Sequence, residues 1–588
     1  MMNDMLLDDM LVKWKTERAP RADAFAPAAD FEKRLFERFR AEAPAKPRKR
    51  RPSLRGLVEE IRKIASPPEE ASAIYANILA ARPGLFAADL CCSVCKSSVI
   101  ASESFCDDRL MPEPSAVPEF DTEEYKTVGE RPFVAVATNP LSTFGADVDT
   151  AMYANVRMKI LEEDRLPPPA AVRLEEFVNY FRYDYPAPQE GGVMRPHFEI
   201  GAAPWAPERQ LLLVGLQAEL PEEKELPPSN YVFLIDNSGS MYDVMPMVRE
   251  ALRTLVGELR PCDRVSMVTY GGEVRVLLEG CADPRKILKL VDGLEAEGCT
   301  PGGEGIQKAY ALAEEHFIAG GNNRIVLITD GDFNVGVSSE AALIELVKAK
   351  RESGVYLSIA GCGMGNYKDN KLKMLANQGN GNVFYLDSVR EAKRVFSSGM
   401  IGNMYALARD VKFQVEFNPV RVYAYRLLGY ELRDMTDRDF RDDNKESGTV
   451  GIGQQLTALY ELIPADAPEE VKASAIPPAP QPKYVKAGAA DGDAELLTFH
   501  LRWRDAQGGE NTREEDFAIE TPAPAGANWG WAAAVAEFGL ALRESEFAPH
   551  ADPKHAAELA QKHLGDDADG SRAEFLLMVR RAMELRRK

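Results

Sequence analysis

Between residues 230 and 396 short apolar runs alternate with longer stretches of helical period, and that alternation limits the fold more than any other feature of the chain. The runs are YVFLID (231–236), RVSMVTY (264–270), VRVLLE (274–279), RIVLITD (324–330), VYLSIAG (355–361) and NVFYLD (382–387). Between them the pattern predicts helices over 244–259, 284–297, 305–317 and 341–353. Strands that are apolar along their whole length are buried on both faces. Helical crossovers then make the sheet mostly parallel and doubly wound, an α/β layer structure. RVSMVTY and VRVLLE are close enough in sequence to pair as neighbouring strands.

The chain has 588 residues, more than one hydrophobic core sustains, since cores stop growing at roughly 250–300 residues. Residues 1–127 read as a poorly ordered or helical region with a basic linker. Residues 128–228 form an extension in which helices over 149–162 and 170–181 flank Pro167-Pro168-Pro169, and a strand follows at 210–217. The α/β unit takes 229–398. Residues 403–588 read as strands and then helices (529–545, 554–564, 572–586), interrupted by a flexible Pro-rich insertion at 464–493 that contains PPAPQP.

Charge and cysteine narrow the function classes. Against 71 Lys and Arg stand 92 Asp and Glu, a net charge of −21. That surplus repels phosphate backbones and excludes nucleic acid as a partner of the whole molecule; a cation or a partner offering basic groups fits better. Eight cysteines in a chain this long are too sparse for a disulfide framework. Cys262, Cys281, Cys299 and Cys362 read as small buried thiols. Cys91, Cys92, Cys95 and Cys106 cluster, yet the second pair that a zinc site needs is missing. The opening MMNDMLLDDMLVKW carries acid where a signal peptide needs positive charge, and no run of 18 apolar residues exists, so the expected location is cytoplasmic. The basic cluster Lys46, Arg48, Lys49, Arg50, Arg51 and Arg55 is a solvated linker, or a patch for an anionic surface, so membrane association stays open.

At the carboxyl end of the first α/β strand stands Asp236-Asn237-Ser238-Gly239-Ser240-Met241. Open α/β sheets gather their ligands in the crevice at such strand ends. Alternate side chains along this turn present one acid and two hydroxyls, and oxygen-only donors select a hard cation. Thr300, in the Gly-rich turn Gly298 to Gly303, and Asp330, at the end of RIVLITD, fall at other strand–helix junctions of the same edge. Alone, the first motif could be a capping turn, since Asp and Ser favour helix starts.

D-x-S-G-S-M after an apolar strand, a later Thr in a Gly-rich turn, and T-D-G after another strand resemble the von Willebrand factor type A (VWA) domain over residues 230–396. The resemblance implies a metal-ion-dependent adhesion site that usually holds Mg²⁺, with Mn²⁺ or Ca²⁺ as alternatives. By that resemblance Ser238, Ser240 and Thr300 bind the metal through hydroxyls, while Asp236 and Asp330 act largely through water. The expected partner is a protein that offers an Asp or Glu carboxylate to the ion. NPLSTFGADVDTAMYANVR, AVRLEEFVNYF and YDYP before the domain, and VKFQVEFNP, YRLLGYE and AAAVAEFGLALRESEF after it, resemble the flanks of the bacterial YfbK-like subfamily. Members of that subfamily are expected in the cell envelope, in contrast to the cytoplasmic reading of the opening segment.

The enzyme classes fit the residues less well. A haloacid-dehalogenase-type phosphotransferase needs a second Asp where Ser238 stands. No G-x-S-x-G surrounds a serine, no Walker Lys follows the glycines near Gly302, and Gly361-Cys362-Gly363-Met364-Gly365 reads as a turn rather than a dinucleotide loop. Asp332 and Asp369 read as loop carboxylates. No histidine neighbours the motif loops to serve as a general base. The expected function is a non-enzymatic, metal-dependent protein-binding module, with a metal-assisted hydrolase or a scaffold with an unused site as the alternatives.

Overall fold

The computed structural model describes residues 129–587, apart from 147, 190, 222–225, 272, 298–302, 331–339, 363–368, 446, 477–493 and 507–510. The basic cluster and Cys91, Cys92, Cys95, Cys106 and Cys299 lie outside the described residues. The extension contributes β1 (Val134–Ala135), β2 (Leu141–Gly145), β3 (Met194–Ala203) and β4 (Ala206–Ala218). The α/β segment contributes β5 (Ser229–Asp236), β6 (Arg264–Tyr270), β7 (Arg275–Cys281), β8 (Asn322–Thr329), β9 (Val355–Cys362) and β10 (Val383–Leu386). After it come β11 (Ala406–Phe417), β12 (Val422–Leu428), β13 (Gly448–Gly451), β14 (Gln455–Pro464), β15 (Leu497–Asp505), β16 (Thr512–Ile519) and β17 (Ala523–Pro524).

The α/β strands form one sheet in the order β10-β9-β8-β5-β6-β7, parallel throughout except that β7 runs antiparallel to β6. Every residue of the central strands β5 and β8 is buried, as their unbroken apolar runs require. The pleat sends alternate side chains to opposite faces. Tyr231, Phe233 and Ile235 join one core with helix Met245–Gly257, while Val232 and Leu234 join another with helix Gly303–Glu315.

Several boundaries differ from the sequence expectation for local reasons. The helix after β7 covers Pro284–Asp292 and stops at Gly293 rather than reaching 297. The stretch 170–181 holds only a 3₁₀ turn and the short helix Leu174–Val178. A helix missing from the sequence reading spans Asp369–Gln378, so Asp369 opens a helix instead of lying in a loop. The Pro-rich insertion begins with a helix, Glu469–Ala475, and 477–493 lies outside the described residues. Of the scattered thiols, Cys362 is buried but Cys262 is exposed, because it sits in the turn that leads into β6.

The two flanks of the α/β segment build common sheets. Strands β12 and β14 lie between β1 and β4 in a six-stranded sheet, and β2 pairs with β11 beside β13, β15 and β16 in the other. The faces of these two sheets pack on one another through Phe144, Val214, Leu216, Phe413, Phe499 and Trp503, among others. Helices Ala527–Arg543, Pro553–Lys562 and Ser571–Arg586 close a further core against Tyr153, Phe177 and Phe181 of the extension.

Candidate metal site at the carboxyl edge of the parallel sheet

β5 ends on Asp236, whose side chain is almost wholly buried at 3% exposure. Its Oδ1 accepts the Ser238 backbone N–H at 2.9 Å, which bends the chain off the strand, and its Oδ2 accepts Thr329 Oγ1 at 3.2 Å. A 3₁₀ turn, Gly239–Tyr242, follows, and Met241 pins it by burying its side chain against Cys362, the two sulfurs 3.9 Å apart. This arrangement turns Ser240 outward, with Ser238 half-buried beside it, and their Oγ atoms lie 3.1 Å apart.

Neighbouring segments are stitched to this turn by backbone. The Asn237 N–H donates to the Tyr270 carbonyl at 3.0 Å, and the Glu297 N–H donates to the Asn237 carbonyl at 2.5 Å. The chain that leads into the Thr300 turn therefore runs alongside the Asp236 loop. Thr300 itself lies outside the described residues, as do Asp332 and the loop 331–339. Asp330 directly follows β8, the strand next to β5, and is buried at 6% exposure. The structure thus brings Asp236, Ser238, Ser240 and Asp330 to one edge of the sheet.

The electrostatics suit a cation. Burial raises the pKa of the Asp236 carboxyl above the usual carboxylate range, and the nearby Asp330 raises it further, against the lowering effect of the Ser238 bonds. The Cys362 thiol is also pushed up, first by burial and then by Asp330 and Asp236. Two carboxylates of like charge in a buried corner gain from a positive ion between them. Ser238 and Ser240 share a hydroxyl–hydroxyl hydrogen bond of 3.1 Å, which sets two neutral oxygens side by side, the donor type a hard cation would take. Among the described residues no three His, Cys, Asp or Glu side chains gather as a metal site.

Sequence reading did not find Thr329, whose hydroxyl holds Asp236, or the roles of Tyr270 and Gly271 beneath the turn. Gly271 is a close approach: a Cβ there would stand 2.5 Å from the Asn237 carbonyl carbon and 2.6 Å from the Ser238 nitrogen. Neither contact has a signal within one strand, because each depends on which strand lies next to β5.

This fold is that of a VWA-domain protein. Residues 230–398 match the von Willebrand factor type A domain model, and residues 119–213 match a model described as von Willebrand factor. Residues 402–585 match the model of the YfbK C-terminal region. "Uncharacterized protein YfbK" of Escherichia coli K12 is 39% identical over 469 residues, covering 78% of this chain and 80% of that one. The chain belongs to the YfbK family. Inter-alpha-trypsin inhibitor heavy chain H2 of Mus musculus is 28% identical over 262 residues, 42% of this chain and 26% of that one. A solved von Willebrand factor type A structure from Catenulispora acidiphila aligns at 14% identity and a TM-score of 0.36, over 66% of this chain and 89% of that chain. Among the described residues no helix is long and apolar enough to cross a membrane.

Proposed function

We propose that the VWA domain is a non-enzymatic protein-binding module whose partner is engaged through a divalent ion, Mg²⁺ in the first place, at the carboxyl edge of the sheet. The observation that carries this reading is the pair of hydroxyls of Ser238 and Ser240, 3.1 Å apart, beside the buried carboxyl of Asp236. Family membership supports an interaction module in general terms; the ion and the carboxylate partner are our inference. When bound, the ion would supply a Lewis-acidic position that a partner's Asp or Glu could fill. Ser238, Ser240 and Thr300 would hold it through neutral oxygens. Asp236 and Asp330 would balance its charge from behind. Neutral direct ligands leave the ion electrophilic, so a carboxylate from outside gains a charge-assisted bond.

The test separates metal from partner. Calorimetric titration with Mg²⁺ or Mn²⁺ should show binding in the wild type and none in Asp236→Ala. Affinity capture should recover a partner that is lost in EDTA and regained with Mg²⁺. A metal that binds only the native state adds about 2.7 kcal/mol at a hundredfold excess over Kd. Wild type should therefore melt higher with Mg²⁺, and Asp236→Ala should keep its fold but show no shift. Turnover of phosphoester or peptide substrates that vanishes in Asp236→Ala would sink the binding reading in favour of a hydrolase.

A further inference from the structure

The opposite, amino-terminal edge of the same parallel sheet carries a cavity of about 650 Å³ between the α/β segment and the ends of β11 and β15. Asn322, Arg351, Tyr356, Tyr405, Arg409 and Arg504 are among its lining residues. Behind this wall, on β8, stands Arg324, which is 2% exposed. Its Nη1 donates to Ser358 Oγ at 2.7 Å, its Cζ lies 5.5 Å from the centre of the Tyr356 ring, and its Nε has no hydrogen-bond partner.

Among the described residues Arg324 has no carboxylate partner, and that separates it from other deeply buried arginines of the molecule. Arg157 meets Asp387, Glu391 and Glu574, and Arg426 meets Glu461. A buried charge without a counter-charge is costly, because desolvation is not offset. Burial lowers the Arg324 pKa, and only tyrosines, Tyr231, Tyr356 and Tyr405, act against it. Two of those three line the cavity. The acids of the cavity do not fill the gap. Asp443 is 3.1 Å from Arg504, and Asp410 is 3.5 Å from Lys412 and 3.9 Å from Arg504. The lining itself is balanced, with Arg351, Arg409 and Arg504 against Glu352, Asp410 and Asp443, so the charge left without a carboxylate is that of Arg324 behind the wall.

We propose that this cavity binds a small oxyanion, a carboxylate or phosphate group, whose charge compensates Arg324, and that it does so independently of the metal edge. The experiment follows the melting temperature of the full chain in EDTA as inorganic phosphate or citrate replaces chloride at matched ionic strength. Wild type and Asp236→Ala should both gain at least about 2 °C with one of the two anions. Which anion acts tells a phosphate source from a carboxylate one. Arg324→Met, which removes the charge and keeps much of the volume, should lose that gain. Arg409→Gln on the cavity wall should weaken it, and decides the matter if Arg324→Met does not fold. Excluded anions stabilise many proteins without a site. A shift of equal size in wild type and in the folded variants, or no shift in wild type, overturns the proposal. Because no metal is present, its failure leaves the reading of the Asp236 edge untouched.

Discussion

Gly271 sits where the Asp236 turn has no room to retreat. A methyl group there would press on the backbone of Asn237 and Ser238 as well as on the Asn237 side-chain oxygen, and the backbone cannot swing aside. Gly271→Ala should therefore displace the Asp236 turn as well as strain the sheet. We expect a stability loss of about 1–3 kcal/mol in denaturant unfolding, together with a Mg²⁺ affinity at least about tenfold weaker by calorimetry. Unchanged affinity in a folded variant would show that the turn tolerates displacement. The contrast with Asp236, Ser238 and Ser240 explains what the sequence reveals at this scale. Those three lie within one turn and can be read off their spacing. Gly271 and Thr329 matter only because β6 and β8 flank β5, and strand order is written across the chain rather than within any one segment.

Among the elements, helix Ala151–Leu161 ties the extension to the α/β sheet. All but its last residue are buried. One side packs Met152, Ala154 and Met158 toward the sheet, and another packs Tyr153, Val156 and Ile160 toward the C-terminal helices. The sequence shows that a helix forms here, but with both sides covered it carries no polar stripe to tell what lies around it. From this helix Arg157 reaches Asp387 at 2.6 Å, Glu391 at 3.0 Å and Glu574 at 2.9 Å, joining three segments far apart in sequence. Arg157→Ala strands buried carboxylates and should cost about 3–5 kcal/mol in urea unfolding. The cluster also sets an acid response. Burial raises the Glu391 pKa, but Arg394 and then Arg157 outweigh it and hold the group at about 2, below its ordinary 4.5. A depressed folded pKa contributes stability above the unfolded value that is lost as pH falls through the folded one. Asp387, which burial raises in spite of Arg157, works in the opposite sense. Wild type should lose the Glu391 contribution between about pH 4.5 and 2. Replacing Glu391 by Gln should flatten that window in pH-dependent unfolding; an unchanged slope would deny Glu391 the role.

Across the whole molecule, the α/β segment is the part most legible in sequence, because, apart from the β5–β8 pairing, its neighbouring strands are consecutive in the chain. The flanks are not, because their strands find partners on the far side of that segment. β4 is hydrogen-bonded to β3 on one side and to β14 on the other, with Leu212↔Tyr460 and Val214↔Ala458 in register. β2 has β11 as its partner, Phe144 opposite Phe413, and those rings lie 5.1 Å apart between the two sheets. Ending the chain at residue 402 removes β11 and β14 together. It leaves β4 with an unpaired edge and exposes the apolar face that carries Leu212, Val214 and Leu216. An open apolar edge is a template for association between chains. The truncated chain should thus appear as oligomers or aggregate in size-exclusion chromatography, and supplying residues 403–588 as a separate chain during expression should restore a soluble complex of the two pieces. A truncated chain that remains monomeric and melts cooperatively would mean that the extension and the VWA segment fold without the strands that complete their sheets.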